Sequence, residues 1–291
     1  MILSRARALA LLGSAAILPQ CAGGGAIRVG SKNFTESFVI AEIYAQALER
    51  VGLRVVRRFN LGSTQIALAA LQHGDIDLYP EYTGTALIDV LHLAPMADPH
   101  KVYEAVRSAF ASKFGLEWLQ PSPLNDSQAL ATTHSIAQKY ALRTLSDLAP
   151  QAHRLRLATI PEFVSRPDGL PGLQRVYGGF HFASVRLYDI ALKYRALTSG
   201  QADIATAFST DGAIATDDLV LLVDDRHLWP PYNVAPVVRQ ATLSATPRIA
   251  TALDAIAPAI TSTAAAQMNA AVESQHQDPA DVAAAFLKGL H

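Results

Sequence analysis

Two aromatic residues, Tyr82 and Phe208, hold equivalent places in a string that occurs twice in this chain. The first copy, Gly74 to Thr85, reads Gly-Asp-Ile-Asp-Leu-Tyr-Pro-Glu-Tyr-Thr-Gly-Thr. Ala196-Leu197, Gly200, Asp203-Ile204 and Phe208-Ser209 repeat Ala70-Leu71, Gly74, Asp77-Leu78 and Tyr82-Thr83, with eight residues from glycine to aromatic in both copies. The first copy predicts a helix from Gln65 to Gln72 that stops at Gly74, then a short strand from Ile76 to Leu78. Pro80 is expected to end that strand, because proline donates no ladder hydrogen bond. Tyr82 then falls in a loop beyond the strand's carboxyl end, which is where open α/β sheets bind ligands. Each copy thus offers an aromatic surface to a ligand.

Catalytic arrangements are missing from the sequence. None of the nine histidines is paired at i, i+4 as on a metal-binding helix. There is no Gly-x-Ser-x-Gly elbow and no Gly-x-x-x-x-Gly-Lys-Ser/Thr loop. Asp75 and Asp77 alternate, so they point alike, but a bound metal would need more oxygen ligands. These patterns argue against an enzyme, and no cofactor or metal is implied.

The elements that position the two aromatics extend the repeat upstream. A strand begins at Ile27-Arg28-Val29, ahead of Asp77, and another at Leu155-Arg156-Leu157, ahead of Asp203. Two α/β lobes that share a cleft follow from a repeat of this size. The helix after the first strand is expected to start at Thr35 as N-cap and to end at Gly52, with Leu53 to Phe59 as the next strand. Ser63-Thr64 turns into the following helix, where backbone N–H groups can face a ligand. A helix from Thr85 to Leu93 follows the Tyr82 loop. Pro121-Ser122-Pro123 marks the passage to the second lobe, where Ala129 to Thr132 reads as a strand, Pro161 to Gly172 as a loop and Ser184 to Leu197 as a helix. Trp229-Pro230-Pro231-Tyr232 begins the return passage, with Val237-Val238 rejoining the first lobe's sheet. The expected division is 27–127 plus 231–291 for the first lobe and 128–230 for the second. Ala-rich helices complete the chain.

The chain has 291 residues, half of them hydrophobic, and a net charge of −1, enough for two lobes with real cores. No basic stripe suggests nucleic acid. Residues 1–26 read as an export segment and linker: Arg5 and Arg7 precede an apolar run, Ala8 to Leu18, too short to span a bilayer. Cys21, followed by Ala22 and three glycines, resembles a lipoprotein processing site, although Gln20 is an unusual residue before it. Ordinary signal cleavage nearby is the other reading. Cys21 is the sole cysteine, so no internal disulfide forms.

Ser31-Lys32-Asn33-Phe34-Thr35-Glu36, Gly74-Asp75-Ile76-Asp77, Pro80-Glu81-Tyr82-Thr83-Gly84-Thr85, Phe208-Ser209-Thr210-Asp211-Gly212 and Pro230 to Arg239 together carry a resemblance. The sequence resembles the substrate-binding proteins of ABC importers for quaternary ammonium compounds such as glycine betaine and choline, from Ile27 to about Leu287. The resemblance implies a type II periplasmic binding protein, exported and monomeric, with two crossover segments, that delivers a small solute to permease subunits. It contacts a membrane only through a lipid anchor at Cys21. A sensor module would use the same clamp. By this resemblance Tyr82, Gln128, Phe208 and Tyr232 stand where the family cages a trimethylammonium. Lys32, Thr85 and Arg166 would face the ligand carboxylate, with Asp126 beside the cage. A quaternary ammonium donates no N–H hydrogen bond and is recognised by π-faces, each worth roughly 0.5–2 kcal/mol. Arg166 suits a carboxylate through its planar fork. Glu81 and Asp211, near the cage, are expected to serve structure instead. Gln128 departs from the tyrosine of the family pattern, and Phe208 loses only a hydroxyl. A missing wall would weaken a betaine complex by about ten-fold or more. Otherwise the amide accepts from a ligand N–H. Gln128 therefore leaves two readings open: a weaker betaine binder, or a different ligand such as a less methylated amine, an amino acid derivative or a larger betaine.

Overall fold

The structure, a computed structural model, describes residues 25–290 apart from residue 191. The expected export segment and Cys21 lie outside the described residues, except for the linker at 25–26. The chain begins with β1 (Ile27–Gly30), α1 (Thr35–Arg50), β2 (Val55–Arg58), α2 (Thr64–His73) and β3 (Leu78–Tyr82). A helical turn, α3 (Thr83–Thr85), widens into a π-helical turn at Ala86–Val90 before α4 (Pro99–Phe114) and β4 (Leu116–Trp118). The chain then crosses to β5 (Gln128–Thr133), α5 (His134–Tyr140), α6 (Leu145–Leu148), β6 (Arg156–Thr159), α7 (Pro161–Ser165), α8 (Leu170–Tyr177), β7 (Ser184–Leu187), α9 (Lys193–Thr198), β8 (Ile204–Phe208), α10 (Ala213–Thr216) and β9 (Leu219–Leu221). It returns through β10 (Val234–Arg239) and ends in α11 (Gln240–Ala245), α12 (Arg248–Ile256), α13 (Ser262–Glu273) and α14 (Pro279–Lys288).

These strands make two five-stranded sheets in matching orders, β2-β1-β3-β10-β4 and β7-β6-β8-β5-β9. In each sheet three strands are parallel, and the strand arriving from a crossing inserts antiparallel beside the third. The repeat expected from Gly74 and Gly200 is thus present at the level of whole sheets. It extends to one ion pair. In the first sheet Arg28 donates from its backbone N and Nε to Asp77 Oδ2 and from Nη2 to Oδ1. In the second, Arg156 makes the same three bonds to Asp203. Asp77 is therefore a strand-tying carboxylate, held below its ordinary pKa by these bonds, which outweigh the opposing effect of burial.

Each sheet is covered on both faces by apolar clusters. On the first, α1 buries Val39, Ile40, Ile43, Tyr44 and Leu48 against β1, β3, β10 and the C-terminal helices, while Leu71, Ile76, Tyr79, Phe110 and Trp118 fill the other face. A fully buried Leu or Ile contributes about 1.5–3 kcal/mol, so α1 is held mainly by packing. On the second sheet the clusters centre on Leu130, Leu157, Leu173 and Phe180, and on Tyr194, Leu197 and Ala205. The two crossings run side by side. Asn125 and Asn233 form a bridge, Tyr232 N donates to Asn125 Oδ1 at 2.7 Å, and Asp126 N donates to Tyr232 O at 3.2 Å.

Four local expectations are corrected. Pro80 does not end its strand. It lies inside β3, opposite Pro236. Thr83 N donates to Asn233 O and Arg239 N to Asp77 O, so the Pro80–Pro236 pair falls at a non-bonded position where no N–H is needed. Ser184–Leu187 is a strand rather than helix. Its Val185 and Leu187 are exposed because it forms the sheet's edge, and the helix begins at Lys193. Residues 161–172 are largely helical, each helix opened by an early proline. Thr35 is the first helical residue, and Phe34 holds the cap position without a side-chain cap bond. The expectation at Gly74 holds, since it ends its helix in the left-handed conformation, as Gly115 does for α4.

Candidate functional site

Six loops follow the parallel strands of the two sheets, and all six converge on one cavity of about 260 Å³. The first sheet supplies Lys32, Asn33 and Phe34 after β1, Ser63 and Thr64 after β2, and Tyr82 and Thr85 at the end of β3 and just beyond it. The second supplies Ile160 to Phe163 and Arg166 after β6, Tyr188 to Ile190 after β7, and Phe208 closing β8. Asp126 and Tyr232 enter from the crossings, with Gln128 opening β5. The eight residues singled out from the sequence therefore share one cavity. It is smaller than the roughly 300–1,000 Å³ of drug-sized ligand sites, which suits a small metabolite.

The aromatic end is built around Phe34. Its ring centroid lies 6.0 Å from that of Tyr82 and 6.4 Å from that of Phe208, stacked on the latter at 15°. A lysine stands by each ring of the repeat pair. Lys32 Nζ is 4.6 Å from the Tyr82 centroid, and Lys193 Nζ is 4.6 Å from that of Phe208. Each lysine is also anchored by a carboxylate: Lys32 donates to Glu81 at 2.7 Å and Lys193 to Asp211 at 3.0 Å. Glu81 is fully buried, accepting also from Tyr79 Oη and the Tyr82 N–H, so it serves structure as expected. Asp211 likewise serves structure, accepting from Tyr194 Oη and the Phe208 N–H.

The polar end is organised by Asp168, which is 1% exposed. Arg166 donates to it bidentately at 2.9 and 2.7 Å, Gln128 Nε2 donates at 2.8 Å, and Tyr232 Oη donates as well. The Nε–Nη2 fork expected to meet a ligand carboxylate is thus spent within the protein. This leaves the Nη1 edge, 3.9 Å from Asp89. Burial alone would lower the Arg166 pKa, and the pairing with Asp168 more than reverses that. Lys32 also donates to Thr64 Oγ1 at 3.2 Å, so two of its three N–H bonds are engaged. Thr85 is buried in the wall, and its hydroxyl has no partner among the described residues.

A carboxylate network ties the two halves together behind the rings. Glu36 Oε1 accepts from Tyr82 Oη at 2.6 Å, and Oε2 accepts from Thr210 Oγ1 at 2.6 Å and Asn269 Nδ2 at 3.0 Å. Thr210 N donates to Asp126 Oδ1 at 3.2 Å. Burial pushes the Glu36 pKa up, and Asp126 is raised by burial and by the nearby Glu36 and Asp211 carboxylates. Sequence reasoning missed Phe34, Asp168, Glu36 and Lys193. Phe34 and Glu36 stood within the quoted Ser31–Glu36 motif. Asp168 stood two places after Arg166 in what reads as an ordinary turn, and nothing local marked Lys193.

Six loops at the carboxyl ends of two matched sheets, closing on a small aromatic-walled cavity, define a two-lobed type II solute-binding protein. A family model described as the substrate-binding domain of ABC-type glycine betaine transport systems matches residues 25–289, and the chain belongs to that family. It is 35% identical over 277 residues to the glycine-betaine-binding protein of Pseudomonas aeruginosa, covering 91% of this chain and 88% of that one. It is 31% identical over 274 residues to the glycine betaine-binding protein YehZ of Escherichia coli, covering 90% of each. A crystal structure titled glycine betaine/carnitine/choline ABC transporter superposes with a TM-score of 0.75 at 32% identity, covering 91% of this chain and 98% of that one. The family consists of extracytoplasmic solute-binding proteins of ABC importers rather than enzymes.

Proposed function

We propose that this protein captures a glycine betaine-like quaternary ammonium or zwitterionic osmolyte between its lobes and presents it to the permease. The observation that carries this reading is the convergence of Phe34, Tyr82, Phe208 and Tyr232, from both sheets and a crossing, on one small cavity. Desolvated π-faces attract a cation that carries no N–H group, and several such faces are needed to replace its lost hydration. The ligand carboxylate would meet the remaining Lys32 donor, the Thr85 hydroxyl and the Nη1 edge of Arg166, with Asp126 beside the ammonium. In this reading residues 27–127 plus 231–291 move as one lobe and 128–230 as the other, hinged at the paired crossings. The protein acts as a monomer, and a lipid at Cys21 holds it at the membrane. Loss of labelled fatty-acid incorporation in Cys21→Ser tests the anchor.

Calorimetry against glycine betaine, choline, carnitine, proline betaine and ergothioneine tests the ligand class. The expected result is a 1:1 complex in the micromolar range or tighter with at least one of them. Absence of binding to all five at millimolar concentration would refute it. Tyr82→Ala should weaken the best ligand by about five- to thirty-fold, the value of one desolvated π-face. An unchanged affinity would remove Tyr82 from the cage.

A further inference from the structure

Gln128 is one of two neutral amides that line the cavity, the other being Asn33 beside Phe34. It lies directly across the β5–β8 pair from Phe208, and its Nε2 is 3.2 Å from Tyr232 Oη. Its orientation is chemically determined. The carboxylate of Asp168, which Arg166 pairs, can only accept, so the group facing it at 2.8 Å must be the –NH2. That nitrogen faces Asp168 Oδ2 and Tyr232 Oη, which lie together on one side of it. The amide cannot flip without placing oxygen against carboxylate. Its Oε1 consequently has no partner among the described residues, yet it is not sealed from the cavity that Gln128 lines. A wall that is buried, fixed and tipped by an unused acceptor selects for a donor, since an acceptor left unpaired against ligand costs binding.

A fully methylated ammonium has no donor to give, whereas an ammonium with at least one N–H does. We propose that Gln128 sets the ligand class of this site: its Oε1 accepts from the N–H of a protonated tertiary ammonium, so the site admits incompletely methylated zwitterions and discriminates in their favour. This rests on the reading of the cavity as an ammonium-zwitterion site and narrows it. The remaining rings still cover the methyl groups, and Lys32 and Arg166 still serve the carboxylate.

The test is a ratio of affinities measured in one protein, so that general damage to the site cancels. Wild type and Gln128→Met are titrated calorimetrically at pH 7 with N,N-dimethylglycine, whose amine is protonated there, and with glycine betaine. The two ligands differ by one methyl in place of one hydrogen. Gln128→Met keeps the length of the side chain and removes the acceptor. Its ratio should shift toward glycine betaine by about ten-fold or more, the value of one hydrogen bond from a charged donor. An unchanged ratio overturns the proposal. If wild type binds glycine betaine but not dimethylglycine, the role of Gln128 fails while the zwitterion site stands. If neither ligand binds at millimolar concentration, nor any quaternary ligand of the panel, both fail together.

Discussion

Individual side chains in this site satisfy one another before they meet a ligand. Lys32 is paired with Glu81, Lys193 with Asp211, and Arg166 with Asp168. Buried pairs of this kind contribute little net stability, but losing one partner strands a charge, so they fix positions rather than add strength. Beside the Lys193–Asp211 pair lies a further carboxylate, Glu273, whose titration is linked to stability. Glu273, packed near Asp211 and Lys193, is raised from 4.5 to about 7 by burial and by Asp211. The folded state therefore binds this proton more tightly than the unfolded state does. The resulting stability is complete below about pH 4.5 and is lost as pH rises to about 7. Glu273→Gln should melt progressively higher than wild type as pH rises across that window, with a constant difference above it. Thermal melts at pH 4.5, 6 and 8 measure this, and a difference independent of pH would contradict the assignment.

At the scale of elements, the ring geometry depends on how closely two segments approach. A Cβ on Gly84, in α3, would lie 2.6 Å from Tyr232 Cδ1 and 2.8 Å from Pro231 O. The glycine is thus the seat against which the return crossing rests, and it lets Tyr232 reach Asp168. Gly84→Ala must push that crossing away, at a cost of about 1–3 kcal/mol in stability. It should also weaken ligand binding by more than ten-fold, because Tyr232 leaves the wall. A melt and a titration of the same variant measure both, and normal binding would show that Tyr232 is not needed. The π-helical turn after α3 acts in the same region, carrying Asp89 to within 3.9 Å of Arg166. Wide turns of this kind recur at functional sites. The sequence announced a helix here and no more. Gly84 was quoted as part of a motif, but its role is a distance to residues almost 150 positions away, which no local pattern encodes.

At the scale of the whole molecule, a few polar contacts join the two halves behind the rings. Thr210, from the second sheet's side, donates to Glu36 on α1 at 2.6 Å, and Asn269 of α13 spans both by donating to Glu36 and to Thr210 O. Tyr82 shares Glu36, and Phe208 is two residues from Thr210, so the placement of both rings is tied to these contacts. Thr210→Val keeps the shape and removes the donor. It should weaken the best ligand by about five- to ten-fold. Small-angle scattering should show a larger radius than wild type without ligand and an equal one at saturation. Equal affinities would mean the bond is not gained on closing. The sequence by itself determined the two-lobed plan, since an Arg, a Gly, an Asp and an aromatic at matched separations reproduce the same strand-tying pair and the same loop twice. The family resemblance, carried over position by position, pointed to the eight wall positions, five of which, Lys32, Tyr82, Thr85, Phe208 and Tyr232, lie in the quoted motifs. Only the tertiary structure decided how those residues are used. The partners of Arg166, Lys32 and Gln128 are a turn aspartate, a strand glutamate and a tyrosine from the return crossing. Hydrogen-bond capacity is a property of what surrounds a side chain after folding, and the sequence names the donors and acceptors without saying which of them remain unspent.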